Sequence, residues 1–287
     1  MDSSPSSPRS AQTALPDVSF SEMVRYAAAI SRGTILSSFY RRCMSTVIAI
    51  TILAMGILLA AAEDLKYAND KPMTFKVFDH PPCSACVVVF ASGEVADTTI
   101  ERFQEALDRL EKTSEWSRAK ARTGAGPQLI LLLDSPGGLV NPAFSVSRQL
   151  RINGAMTAVA RPSVTFATDG ALDPSSCNSA CGFMLLGGKV RFSRLLSNIG
   201  LHQIRPAVEQ KLSYTREEVL LYLTVFKESA AALSRHLAEM NIDPKLLLYI
   251  MQAPDDEMGF LGYSEAKSLG IIDAISDSLN DILLYPS

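Results

Sequence analysis

A charge excess of either sign is what this chain most plainly lacks. Its 27 Lys and Arg stand against 30 Asp and Glu, a formal net charge of -3 over 287 residues. No field of that size gathers nucleic acid by its phosphates, so a nucleic-acid partner is not expected. No internal repeat stands out, which argues against solenoids and propellers. No ATP-binding motif appears, so nucleotide-driven work requires a separate partner. The single tryptophan, Trp116, sits in a charged stretch and carries little information.

What is present in local excess is apolar sequence. From Met44 to Ala62, "MSTVIAITILAMGILLAAA", 19 consecutive residues carry no charge, about enough to cross a ~30 Å hydrocarbon core as a helix. Arg25, Arg32, Arg41 and Arg42 precede the run and Glu63 and Asp64 follow it. The positive-inside bias then puts the N-terminus in the cytoplasm and the remainder across the inner membrane, in the periplasm. Ala60 and Ala62 also fit a small-residue cleavage site, so anchor and cleaved signal peptide both stay open. The expected organisation is a disordered leader over 1–43, Ser/Pro-rich at its start, the spanning or signal segment at 44–62, a linker at 63–85 and a folded domain over 86–287.

Cysteine placement agrees with export. Cys43 precedes the run, whereas Cys83, Cys86, Cys177 and Cys181 follow it as two close pairs. An even number on the outer side permits disulfides there, within or between pairs. A structural zinc site is the alternative, ranked lower because these spacings are weak for zinc. "HPPCSAC" also invites a redox reading, but it precedes a strand rather than joining strand to helix, and His80 beside it reads as a loop residue.

Along the body, strand-like and helix-like stretches alternate. "CVVVFASGEV" is a β-branched run ended by Gly93. In "TTIERFQEALDRLEKT", Thr98 and Glu101 have capping-box spacing, and Ile100, Phe103, Leu107 and Leu110 recur at helical period. "QLILLLD" reads as a parallel strand buried on both faces. "SPGG" breaks it, and a helix follows with Asn141 as N-cap, Pro142 at its first position and Gly154 as terminator. "AMTAVA" is a strand, "RPSVTFATDGALDP" an excursion, "SACGFMLLGG" a short apolar helix, and "KVRF" and "SNIGLHQI" two short strands. Thr215 and Glu218 cap a helix to about Met240, Asp243-Pro244 opens another that Pro254 stops, and "YSEAKSLGIIDAI" is a helix running into a last strand. Strand–helix units at this spacing imply an α/β fold with a largely parallel sheet.

Three features stand at the edges of these elements. The "SPGG" bend offers a Gly137 or Gly138 N–H at a strand end as an oxyanion donor. Ser179 opens the apolar helix, where free N–H groups and the helix dipole favour developing negative charge, and the Ala180 N–H follows it. His202 ends an apolar stretch, where a neutral imidazole suits a general base. Taken singly, each has a plainer reading: a tight turn, an N-cap serine, a core histidine. Their order along the chain is what raises them together.

"DSPGG", "SACGFMLLGGKVRF", "IGLHQIRP" and "LGYSEAKSLGIIDAI" together resemble the proteolytic subunit of the Clp protease, of the crotonase-like superfamily of spiral ββα units. The resemblance covers roughly residues 86–276. The C-x-S-A-C serine motif and the exported N-terminus look more like a periplasmic bacterial branch than the cytosolic protease. The resemblance implies Ser179 as nucleophile, His202 as general base, and Gly137 or Gly138 with Ala180 as the oxyanion hole. The family's third member, an aspartate, falls on Met258 when the tails are aligned, leaving Asp256 as the substitute and Asp255 after it. A disulfide between Cys177 and Cys181 would clamp the serine's backbone if their Cα atoms lie about 4.4–6.8 Å apart.

The expectation is therefore a serine hydrolase cutting peptide or protein substrates outside the cytoplasm, needing no cofactor and no metal. By resemblance it self-associates. A crotonase-fold binding or assembly module without catalysis is the alternative, and acyl-CoA chemistry fits poorly with export.

Overall fold

In chain order the elements begin with β1 (Thr74–Phe78), β2 (Cys86–Ser92), α1 (Thr99–Glu111), β3 (Gln128–Asp134), α2 (Val140–Ile152) and β4 (Met156–Val159). An excursion follows, of β5 (Arg161–Pro162), α3 (Phe166–Asp169) and β6 (Leu172–Asp173). Then come β7 (Ser176–Asn178), α4 (Ala180–Leu185), β8 (Arg191–Ser193), β9 (Asn198–Leu201), α5 (Arg216–Glu239) and α6 (Lys245–Gln252). The last are β10 (Gly259–Phe260), α7 (Tyr263–Ser268), β11 (Ala274–Ile275) and α8 (Leu279–Leu284). The computed structural model describes residues 71–78, 81–83, 86–113, 116–117, 127–203, 214–253 and 258–285, all within the unit Asp64–Ser287. Residues 1–43 and the 44–62 run lie outside them. Among the described residues no helix is long and apolar enough to cross a membrane.

The protein is mixed α/β. Six strands form one sheet in the order β1-β2-β3-β4-β8-β11, parallel throughout except for β1, which runs antiparallel to β2 at the edge. β3 is buried on both faces, as its unbroken apolar run predicts. Leu129, Leu131 and Leu133 enter one core, with α1, α2 and α4, whereas Ile130 and Leu132 enter a second, with Phe166, Leu172, Leu279 and Ile282. Trp116 packs at the margin of the first. A separate three-stranded sheet, β10-β9-β7, carries the two strands that lead to Ser179 and His202. "KVRF" and "SNIGLHQI" thus form strands of different sheets.

Several expectations are corrected. The 63–85 segment is no plain linker, because β1 lies within it. Met73 and Phe75 are buried, and Phe75 meets Phe103 of α1 at 5.3 Å between ring centroids. Thr98 precedes α1 but makes no capping hydrogen bond; instead Ala96 N–H donates to Thr99 Oγ1 at 2.8 Å, closing the turn one residue later. α2 begins earlier than expected, with Leu139 as N-cap, because Leu139 N–H donates to Val95 O and ends the extended segment there. Asn141 and Pro142 are therefore its second and third residues, and a proline is tolerated there because a first-turn N–H has no intrahelical acceptor. Thr215 does form its capping box with Glu218.

The serine helix α4 is fixed at its far end. Thr157 Oγ1–H donates to Leu185 O at 2.7 Å. The Arg151 guanidinium donates to Leu186 O and Met240 O, at 3.0 and 2.9 Å, so one cation serves the carbonyl ends of α4 and α5. Against the middle of α4 lies His236 of α5, fully buried. Its ring stacks on Phe144 at 4.1 Å, and Nε2–H donates to Phe183 O at 3.4 Å.

Burial lowers the His236 pKa from 6.5 to about 4; the Phe183 carbonyl opposes that shift and nearby Arg148 adds to it. The unfolded chain takes up this proton below its ordinary value while the folded chain refuses it until about pH 4. The contribution is complete above pH 6.5 and is lost as pH falls toward 4, by about 3 kcal/mol in total. Replacing His236 by Phe should flatten that part of the stability–pH curve, read by urea unfolding between pH 7 and 4; an equal fall in both proteins would show that His236 is not the group responsible.

Candidate active site

Strands β7 and β9 run parallel, with Cys177 beside Ile199 and Asn178 beside Gly200. Ser179 N–H extends the ladder, donating to Gly200 O at 2.7 Å. Ser135, just past β3, pairs with Cys177 from the other side: Ser135 N–H donates to Ser176 O and Asn178 N–H to Ser135 O. The strand entering the serine is therefore held on both edges. At Ser179 the chain turns sharply, with φ 52° and ψ -122°, a conformation that costs a non-glycine residue about 1–3 kcal/mol. Ser179 is the N-cap of α4, but its side chain makes no cap bond.

Glycine makes that turn fit. Gly137 has φ 109°, and a Cβ there would lie 2.7 Å from both Asn178 O and Ser179 Cβ. The Pro-Gly-Gly bend thus touches the serine main chain, and any side chain would push them apart. Gly137 O accepts from Val95 N–H and Val95 O from Leu139 N–H. Gly137 N–H donates to Ser135 Oγ at 3.1 Å. Of the two expected oxyanion donors, Gly137 is therefore engaged, while Gly138 N–H has no hydrogen-bond partner among the described residues. Ala180 N–H opens α4 and has no intrahelical acceptor.

His202 follows β9 directly, half-buried. Ser179 and His202 thus leave neighbouring parallel strands at the same end, where strands stand about 4.8 Å apart. Ser179 Oγ and His202 Nε2 form no hydrogen bond to each other in this structure. His202 Nδ1 is instead 2.7 Å from Gln203 O. β10 pairs antiparallel with β9, Gly259 beside Leu201, and continuing that register by one residue sets Met258 across from His202. A Cβ on Gly200 would lie 2.5 Å from Met258 Cγ and 2.7 Å from Asn178 Oδ1, so both side chains cover that strand's face. Asn178 Oδ1 is buried there with no hydrogen-bond partner. Asp255 and Asp256 lie outside the described residues, as does His80.

Both close cysteine pairs stand at disulfide distance. Cys177 and Cys181 have Cα atoms 5.2 Å apart, bridging the serine turn, and both are fully buried. Cys83 and Cys86 are 5.8 Å apart at Cα. The first pair belongs to the core on one side of the large sheet and Cys86 to the core on the other, so the four-cysteine zinc arrangement is not assembled. Among the described residues no group of three or more His, Cys, Asp or Glu comes together as a metal site.

The sequence reading missed the Gln203 carbonyl and Asn178. Strand alternation sets Asn178 on the face opposite Ser179, so parity did not mark it, and no side-chain pattern marks a main-chain acceptor. A scan against protein-family models finds no match to the chain, and a search of curated proteins finds none either.

If the turn at Ser179 is strained, Ser179→Gly should raise stability by about 1 kcal/mol and Gly137→Ala should lower it by at least about 2 kcal/mol. Urea unfolding of both variants beside wild type checks this; a destabilised Ser179→Gly or a neutral Gly137→Ala would mean the turn stores no strain.

Proposed function

We propose that this chain is a serine hydrolase acting on peptide bonds. The observation that carries the reading is the Ser179 turn, forced to φ 52° and pressed against a Pro-Gly-Gly bend. Strained backbone of this kind persists where the surroundings over-determine it, and it presents a hydroxyl at a helix start beside free main-chain donors. In the proposed cycle Ser179 Oγ attacks the scissile carbonyl and His202 Nε2 takes its proton. Gly138 and Ala180 N–H groups receive the oxyanion, and His202 gives the proton to the leaving amine as the acyl-enzyme forms. His202 then takes a proton from the attacking water, and returns it to Ser179 Oγ as the acid product leaves.

Within that class the particular reading is a Clp-peptidase-like protein of the crotonase-like superfamily, in an exported branch. The ordered motifs support it, as do two sheets joined at the serine turn. Export is supported by the apolar 44–62 segment with arginines before it and acidic residues after it, and by two cysteine pairs at disulfide distance. The proposed location is the periplasmic side of the inner membrane, anchored or released. Self-association is supported by α5, whose first half exposes Val219, Leu220, Leu221, Tyr222 and Leu223.

A catalytically silent crotonase-fold module is the second reading. Met258 at the position aligned with an aspartate, and the unmade Oγ–Nε2 bond, favour it. A fluorophosphonate probe separates the two: labelling of wild type that is abolished in Ser179→Ala and slowed on the order of 10³-fold or more in His202→Ala supports the hydrolase. A folded wild type that stays unlabelled supports the silent module.

A further inference from the structure

We infer that His202 is held in its working tautomer by the main-chain carbonyl of Gln203, with Met258 standing at the sequence position that the resemblance aligns with the family's aspartate. The inference rests on the hydrolase reading above and concerns how its base is aimed. A carbonyl oxygen only accepts, so the 2.7 Å contact requires the hydrogen on Nδ1. Nε2 is then the lone-pair nitrogen, the form a general base needs to receive a hydroxyl proton.

An orienting carboxylate does two things: it fixes tautomer and direction, and it stabilises the imidazolium that forms during reaction. The Gln203 carbonyl does the first and, as a neutral dipole, little of the second. The register of β10 on β9 ends at Gly259 beside Leu201, and one residue further along it Met258, a thioether, falls level with His202. Its Cγ and Sδ pack over Gly200, in space no Cβ occupies. A thioether accepts hydrogen bonds weakly and carries no charge to offset an imidazolium. Among the described residues, then, what aims the His202 ring is a main-chain carbonyl, with no carboxylate beside it to offset an imidazolium.

Two measurements on the full-length protein test this. The first is long-range ¹H–¹⁵N correlation on histidine-labelled protein, with the His202 signals assigned by their loss in His202→Gln. An Nδ1–H tautomer is expected, and an Nε2–H tautomer at neutral pH would overturn the inference. The second is the rate of phosphonate labelling in Met258→Asp, Met258→Leu and Asp256→Asn. Met258→Asp should label about tenfold faster or more, a part of the roughly 10⁴ that such a carboxylate is worth, while Met258→Leu and Asp256→Asn stay within about twofold of wild type. A loss on the order of 10⁴ in Asp256→Asn would give the role to that residue, and an unchanged rate in folded Met258→Asp would show that no carboxylate is wanting there. Should wild type not label at all, the hydrolase reading falls by itself and the tautomer measurement still decides how His202 is held.

Discussion

The backbone of one residue sets the terms for the rest of this structure. Ser179 sits at φ 52°, and three contacts keep it there. Its N–H is tied to Gly200 O, its Cβ lies against Gly137, and Cys181 of its helix stands at disulfide distance from Cys177 of the incoming strand. Each contact comes from a different part of the chain, so the turn is fixed by the tertiary fold rather than by its own preference.

The division of strands between two sheets serves that turn. The large sheet ends β3 at Asp134, and the next residue, Ser135, leaves it to pair with β7. The bend that follows therefore belongs to both sheets. α4 then runs away from the turn into the core, where Phe183 meets Phe144 and His236, and Arg151 gathers the carbonyls at its end. Burying all of α4 is what makes its start rigid: a helix of six residues has little stability of its own and takes its direction from packing.

Much of this was legible because it depends on local pattern. An unbroken apolar "QLILLLD" ended by Pro-Gly-Gly reads as a strand covered on both sides, and a serine before "ACGFMLLGG" as the head of a buried helix. Thr215 and Glu218 satisfy each other within one turn and need no outside help. What escaped notice was set at a distance. β1 shows the right alternation in Met73, Phe75 and Val77, but Lys71, Lys76 and the neighbouring prolines read as linker until β2 supplies a partner. Thr98 makes no side-chain cap bond, and the Thr99 hydroxyl serves Ala96 N–H ahead of the helix instead. The membership of β8 and β9 in different sheets, the φ of Ser179, and the Gln203 carbonyl facing His202 follow from the assembled chain, and no spacing of side chains announces them. Met258 is the opposite case: the resemblance marked it in the tail, and its side chain packs over Gly200.

The proposed chemistry requires the serine hydroxyl, the histidine and the main-chain donors to share one cleft at the Pro-Gly-Gly bend. A crystal structure of the protein after reaction with a small alkyl fluorophosphonate tests it most directly. The expected result is a phosphorus–oxygen bond to Ser179 Oγ, the phosphonyl oxygen within about 3 Å of the Gly138 and Ala180 nitrogens, and His202 Nε2 facing the same phosphorus. An adduct whose oxygen points away from both amides, or a His202 ring turned to the far side of the small sheet, would contradict it.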